Sequence, residues 1–501
     1  MRRKHRFNVE WLTLNRLVVA IVFLAVFAMA TRYPADSDTW WHLQAGKTML
    51  AQKTLLTTDL YSHTQAGSGW INHSWLAQIF WYGLLAVGGW PGLAIGLAAV
   101  VTLSFWLVWR HSEGNLYVRA FGVVLGAITS SLVWAARPQM ISFLLAAAAA
   151  FLLNRFKRQG GRLLPWLPLL VLVWVNSHGG YAIAFILLAC YMAGDAANAL
   201  APGMRNGAAG LSRAEWRHLF LTAALCLAVV AINPHTWRMW LYPFKTVGIG
   251  VLRDFIAEWQ SPDFHRPIVQ PFLLMLLLLL AAIARCGRKV DWTDLALVGA
   301  WVTLSLLAVR NVAIFAVVCT PVLTRYATLA LEAHFGPLTM GRPRALPRPL
   351  ASLNWALLGL LVVASGGRVA GVVSPAAIAA AEAERFPVEA VTFVQQAAPD
   401  GPLFNSYNIG GYLIYHLWPD YPVFVDGRTD LYDDSFLRMY LKTANALPGW
   451  QATLNRYRIQ LIIIERDTPL ALALQHDAGW QQLFAGERAA VFQKIAAAAP
   501  Q

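Results

Sequence analysis

Eleven stretches of this 501-residue chain are apolar for long enough to cross, or nearly cross, a lipid bilayer. They lie at about 17–31, 91–109, 119–135, 139–153, 164–176, 180–199, 217–232, 268–285, 293–309, 311–329 and 352–367. Inside a bilayer every backbone N–H and C=O must be satisfied within the protein, so runs of this kind fold as helices. Charged residues make up 13% of the chain and hydrophobic ones 57%. A soluble surface needs about a quarter charged residues. The fold class expected is therefore an α-helical polytopic membrane protein.

The formal net charge of +14 is unevenly placed. From Ser374 onward nine Lys/Arg stand against thirteen Asp/Glu, a net of −4; residues 1–373 therefore carry 31 basic and 13 acidic residues, a net of +18. The basic residues fall in short connectors between apolar runs, as the positive-inside rule describes, so nucleic acid is not needed to explain them. One further segment, SWLAQIFWYGLLAVGG (74–89), decides the threading. If it spans, the basic connector NRFKRQGGR (154–162) faces outward. If it lies along the interface, with Trp75, Trp81, Tyr82 and Trp90 at head-group level, the segments 1–16, 110–118, 154–163, 200–216, 286–292 and 330–351 all fall inside. The second layout is adopted. It gives eleven spans, an uncleaved first span with a cytoplasmic N-terminus, and an outer C-terminus in a bacterial inner membrane.

Cys190, Cys226 and Cys319 lie in apolar runs and Cys286 in a basic connector, which indicates neither a disulfide framework nor a Cys-based zinc site. Residues 374–501 have a soluble composition. PLFNSY, PVFVDG and IQLIIIE read as strands; PVEAVTFVQQAA, GGYLIYHLW and SFLRMYLKTANAL read as helices. The chain thus divides into a membrane module, 1–373, whose first outer loop carries juxtamembrane helices at 34–90, and an outer α/β domain, 374–501.

This layout puts the unusual polar residues on the outer side. ADSDTWWHLQAG (35–46) follows the first span and sets Asp36 and Asp38 beside Trp40, Trp41 and His42. Carboxylates near a membrane surface are costly unless solvated or used. Asp38 alone would serve to cap a helix starting near Thr39, which leaves Asp36 to be explained. His63 and His73 share the loop at spacings that match no zinc pattern. Arg137, His178, Arg238 and Arg310 each stand at the outer end of a span. One such Arg can simply snorkel to head groups; four such groups on one face suit an anionic lipid head. FNSYNIGGYLIYHLWPDYPVFVDGRTDLYDD (404–434) is the densest motif: Gly410-Gly411 allow close backbone approach, and Asp426 to Asp430 form either ligand groups after a strand or a turn with an internal Asp–Arg ion pair. P-loop, dinucleotide-type Gly-rich, GxSxG and HExxH motifs are missing.

On these features the chain resembles the GT-C superfamily of polytopic membrane glycosyltransferases. The residues that carry the likeness are the acidic first outer loop (Asp36, Asp38), the many further spans, and Ser406-Tyr407-Asn408-Ile409-Gly410-Gly411-Tyr412. The last takes the place of the oligosaccharyltransferase WWDYG motif without its Asp and Trp pair. That departure points away from sequon-directed glycosylation and toward simpler mannosyl- or aminoarabinosyl-type transferases. The resemblance implies a polyprenyl-phosphate-linked sugar donor, a glycan, lipid or protein acceptor, contact with membrane lipid, and no nucleotide. It implies Asp36 or Asp38 as general base, His42, Arg137, His178, Arg238 and Arg310 around the donor phosphate, and Trp40, Trp41, His73, Tyr412, Asp426 and Arg428 at the acceptor. A divalent cation, Mg or Mn, would be held by Asp36 and Asp38, with Glu258 and Asp263 the remaining acidic candidates. A lipid-linked glycan transporter and a non-catalytic glycan assembly protein are the alternatives.

Overall fold

The computed structural model describes residues 11–33, 35–160, 162–200, 210–248, 250–338 and 347–495. The membrane part runs through α1 (Leu14–Ala30), α2 (Ser37–Gln52), α3 (Trp75–His111), α4 (Leu116–Ser130), α5 (Gln139–Gln159), α6 (Trp166–Val175), α7 (Ala182–Leu200), α8 (Arg213–Val229), α9 (Arg238–Val247), α10 (Gly250–Phe255), α11 (Gln270–Cys286), α12 (Trp292–Leu307), α13 (Val312–Phe335) and α14 (Arg348–Val372). Each of the eleven apolar runs holds one of these helices; α2, α9 and α10 are the others. Among the described residues seven helical segments are long and apolar enough to cross a bilayer, α1, α6 and α12 are apolar but shorter, and α8 is in neither group. The basic stretch 1–10 and the connectors holding Arg205, Arg342 and Arg344 lie outside the described residues.

Helix α3 is two helices joined at Gly89, whose φ of 59° and ψ of −160° break the helical path. Only a residue without Cβ adopts that backbone at low cost. The first arm folds back on the second, so that Leu84 lies against Gly92 and Gly96. Segment 75–88 is thus a separate arm packed beside α2, and the chain turns back before its next long helix.

The ends of the helices segregate. At one end lie Asp36, Arg137, His178, Glu258 and Arg310. At the other, Arg325 pairs with Asp294 at 2.5 Å and with Glu113 at 3.1 Å, and Lys157 pairs with Asp291 at 2.8 Å. The connectors at this second end are more than basic tails: their own acids close buried ion pairs that tie α13, α12 and α5 together.

Residues from Pro375 onward build α15 (Pro375–Arg385), α16 (Val388–Ala397), β1 (Leu403–Asn405), α17 (Tyr407–Leu417), α18 (Asp434–Ala444), α19 (Trp450–Arg456), β2 (Leu461–Glu465), α20 (Pro469–Gln475), β3 (Trp480–Ala485) and β4 (Ala489–Lys494). The sheet order is β1-β2-β4-β3, with β1 parallel to β2 and the other pairs antiparallel. The hairpin WQQLFAGERAAVFQK carries exposed polar residues and did not read as strands in the sequence. PVFVDG, expected as a strand, is not one. Its backbone is satisfied differently: Val423 exchanges bonds with Tyr61 and His63 of the first loop, while the Asn405 amide serves Phe424 N–H and Val425 C=O at 2.8 Å each.

Besides these bonds, an aromatic cluster and a buried ion pair fasten this domain to the membrane module. Trp40 is fully buried among Trp90, Phe386, Tyr412 and Tyr415, with ring centroids 4.8–5.3 Å apart. Arg428, also fully buried, pairs with Asp426 at 2.6 Å and with Asp59 of the first loop. Removing one member of a buried ion pair leaves an uncompensated charge. Arg428→Ala is therefore expected to destabilise the junction by about 3–5 kcal/mol, read as a lower melting temperature in detergent and earlier proteolytic release of the C-terminal domain.

Candidate functional site

Where the first loop, the module and the C-terminal domain meet, a cavity of about 560 Å³ opens. Its size suits a small ligand or a lipid head group. Asp38, Trp41, His42, His73, Arg137, His178 and Arg310 all line it, as do Arg428, Glu258, Tyr407, Gly427 and Asp430 and the unforeseen Ser142, Tyr242 and Trp259.

The first loop supplies the carboxylates through one helix start. Asp36 is the N-cap of α2, its Oδ1 accepting the Asp38 N–H at 2.9 Å. The cap is thus Asp36, and it is Asp38 that is left over. Placed in the first turn, Asp38 receives the Trp41 indole N–H at 3.1 Å and meets Arg137 Nη2 at 2.8 Å. A Cβ on Gly427 would overlap the Asp38 carboxylate, so the C-terminal domain closes against this group by its bare backbone. Burial pushes the Asp38 pKa up to about 7; Arg137 opposes the rise, and the nearby acids Asp36 and Glu258 add to it.

Arg137 precedes α5 and forks between carboxylates: Nη1 lies 2.9 Å from Asp36 and 3.7 Å from Glu258, and Nη2 holds Asp38. Burial works against its charge, but the three acids outweigh it and keep Arg137 firmly protonated. Glu258 reaches back to Arg310 at 3.6 Å, whose guanidinium stacks over Trp259 at 4.3 Å. Burial disfavours the Glu258 charge too, yet Arg310 and Arg137 hold its pKa below the usual carboxylate range.

The histidines are neutral donors. His178 Nδ1 accepts from Gly180 N–H at 3.1 Å and from Ser142 Oγ at 2.7 Å, and Ser142 in turn accepts the Trp174 indole N–H at 2.6 Å. That relay assigns the proton to Nε2. His42 Nδ1 accepts from Gln78 Nε2 at 3.2 Å, which assigns its proton likewise. Burial and then nearby positive charge depress both pKa values well below the usual histidine value. His73 packs on Tyr242, 4.5 Å between ring centroids, and the Tyr242 hydroxyl donates to Asp430 at 3.3 Å.

Other expected site residues stand elsewhere. Arg238 is exposed at the start of α9, outside the cavity. Trp40 and Tyr412 sit in the aromatic junction, Tyr412 donating to Glu382 at 2.9 Å. Asp426 faces Arg428, which realises the internal Asp–Arg pair; Arg428 contributes to the cavity wall while its charge is spent on Asp426 and Asp59. His63 bonds the Leu403 carbonyl at 2.8 Å, and Asp263 is exposed and bonded to His265. Gly410 and Gly411 lie inside α17 rather than in a turn, packed on the carbonyls of Val425 and Ser37. The divalent-cation expectation does not fit this arrangement. The oxygens of Asp36 and Asp38 converge on a guanidinium, and among the described residues no group of three or more His, Cys, Asp or Glu is disposed to hold a metal ion.

No family model matches the sequence, and neither does any curated protein. Solved structures do match. ArnT from Cupriavidus metallidurans, bound to undecaprenyl phosphate, superposes with a TM-score of 0.52 at 13% identity over 97% of this chain and 99% of that one. The Archaeoglobus fulgidus oligosaccharyltransferase tethered to an acceptor peptide gives 0.55 at 14% identity over 91% of this chain and 70% of that one. AglB from Archaeoglobus fulgidus, in complex with an inhibitory peptide and a dolichol-phosphate, gives 0.53 at 12% identity over 93% and 72%. The protein has the fold of the GT-C membrane glycosyltransferases.

Proposed function

We propose that the protein is a membrane glycosyltransferase that moves a sugar from a polyprenyl-phosphate-linked donor to a glycan, lipid or protein acceptor, with Asp38 as general base. The observation that carries this reading is one cavity holding a near-neutral-pKa carboxylate together with phosphate-suited donors. The acceptor hydroxyl attacks the anomeric carbon while its proton passes to the Asp38 carboxylate. The bond from that carbon to the phosphate oxygen breaks, and the electron pair leaves with the phosphate. The Nε2–H groups of His178 and His42 and the Arg310 guanidinium meet the growing negative charge. Attack opposite the departing phosphate inverts the anomeric centre. Trp41, His73 and Asp430 face the space left for the acceptor. Two of the fold relatives were captured with undecaprenyl phosphate and with a dolichol-phosphate, the kind of carrier such a donor leaves behind when its sugar is transferred. The Lys/Arg bias supports a bacterial inner membrane with eleven crossings, the N-terminus in the cytoplasm and the cavity at the periplasmic end.

The test is complementation of a deletion strain, with surface glycans and lipid-linked sugars profiled by mass spectrometry, followed by kinetics on purified protein. Asp38→Asn is expected to lower kcat by about 10²–10⁴-fold, whereas Asp36→Asn keeps a competent N-cap and loses far less. A base must be deprotonated to act, so wild-type kcat/KM should rise with pH through about 7 and then level off, and Asp38→Asn should lack that limb. Full glycan restoration by Asp38→Asn would overturn the assignment.

Gly427→Ala probes the same carboxylate from the other side. The added methyl must push Asp38 aside, and a displacement of about 1 Å costs about 100-fold in rate. Unchanged kcat in Gly427→Ala at wild-type expression would show that Asp38 does not act from this position.

A further inference from the structure

Asp36, Asp38 and Glu258 come from two segments far apart in sequence and all pair with one guanidinium. Three neighbouring carboxylates repel one another unless a cation stands among them, and a divalent ion with its oxygen ligands is one such cation. Here the centre is taken. The guanidinium of Arg137 presents one nitrogen to Asp36 and Glu258 and the other to Asp38. Its flat fork matches carboxylates at hydrogen-bond length, whereas Mg²⁺ would need oxygens at about 2.0–2.1 Å around one point. The oxygens stand 2.8–3.7 Å from two different nitrogens and do not share such a point.

We propose that Arg137 fills the place of a divalent cation among Asp36, Asp38 and Glu258, and that the cavity works without a bound divalent metal. Arg137 is then a positioning residue. It ties the first loop to the segment carrying Glu258, as a shared ion would, and holds the Asp38 carboxylate against Gly427. Unlike an ion, it is covalently part of the chain and cannot be exchanged or chelated. The electrostatic work on the leaving phosphate falls to Arg310 and His178, which have no such ring of acids around them. The proposal refines the glycosyltransferase reading, but its binding arm stands without it.

The experiment uses the full chain purified in detergent, with Mn²⁺ as probe and electron paramagnetic resonance as the binding readout. Wild type is expected to leave Mn²⁺ free and to keep its turnover after EDTA. Arg137→Ala is expected to lose about 100-fold in kcat, to gain a bound-Mn²⁺ signal from the three released carboxylates, and to lose that signal when Asp38→Asn is added. The proposal is overturned if wild type binds Mn²⁺ in a manner that Asp38→Asn abolishes, or if EDTA stops turnover and Mn²⁺ or Mg²⁺ restores it. These wild-type arms decide the matter even if Arg137→Ala fails to fold. Should no form turn over any sugar donor while the Mn²⁺ pattern is as expected, the activity reading fails and the assignment of Arg137 stands.

Discussion

The buried pairing of Arg428 with Asp426 and Asp59 is the interaction on which the cavity depends. A guanidinium with no exposed surface is tolerable only with acids on its donors, and here the acids come from both sides of a seam. Asp426 belongs to the C-terminal domain and Asp59 to the loop after the first span. The seam is sealed beside it by the short strand pairing of Val423 with the 61–63 segment. Gly427 sits between the two ion-paired residues, so its backbone is fixed where it presses on Asp38. The position of a group in the membrane module is thus set by charge balance in another domain.

Polarity in the cavity is sorted by location. One wall is ionic: Asp38, Arg137, Glu258 and Arg310 alternate in sign and neutralise one another in sequence. The facing groups are neutral but directional, since His42 and His178 are each fixed in one tautomer by an acceptor role at Nδ1. In the proposed reaction, neutral imidazole donors would suit a phosphate whose negative charge grows as its bond to the sugar breaks, since they favour the departing group over the resting one.

Much of this was legible from the residues alone. The apolar runs located the long helices, and the placing of Arg137, His178, Arg310, His42 and Asp38 at one end followed from counting crossings. That count rested on reading 74–89 as a helix along the outer interface; in the structure a break at Gly89 separates this arm from the helix that follows, against which it folds back. What the sequence could not show were pairings across long separations. Nothing near Asp59 announces Arg428, 369 positions later. Trp40 and Tyr412, expected at the acceptor, pack in the junction instead: aromatic residues serve packing and recognition equally well, and burial alone separates the two. Arg238 failed to join the others because α9 presents its apolar Met239 and Tyr242 inward, which turns its first residue outward. One signal was readable in hindsight: Ser142, a lone hydroxyl one turn into an apolar helix after Arg137. PVFVDG misled because a continuous apolar run reports burial, not the partner that supplies the hydrogen bonds.

The closure of the cavity by Gly427 has a consequence for how the protein is made. Asp38 is translated early, and Gly427 follows it by 389 residues. At ribosomal speeds of about 5–20 residues per second, the first loop waits roughly 20–80 s before its last wall exists. During that interval the helices are threaded one after another while the half-built pocket stays open to water, with its carboxylate solvated and near its ordinary acidity. The closed pocket therefore arises late, when the final domain docks, and a chain stalled anywhere before residue 427 would be inserted with that wall missing.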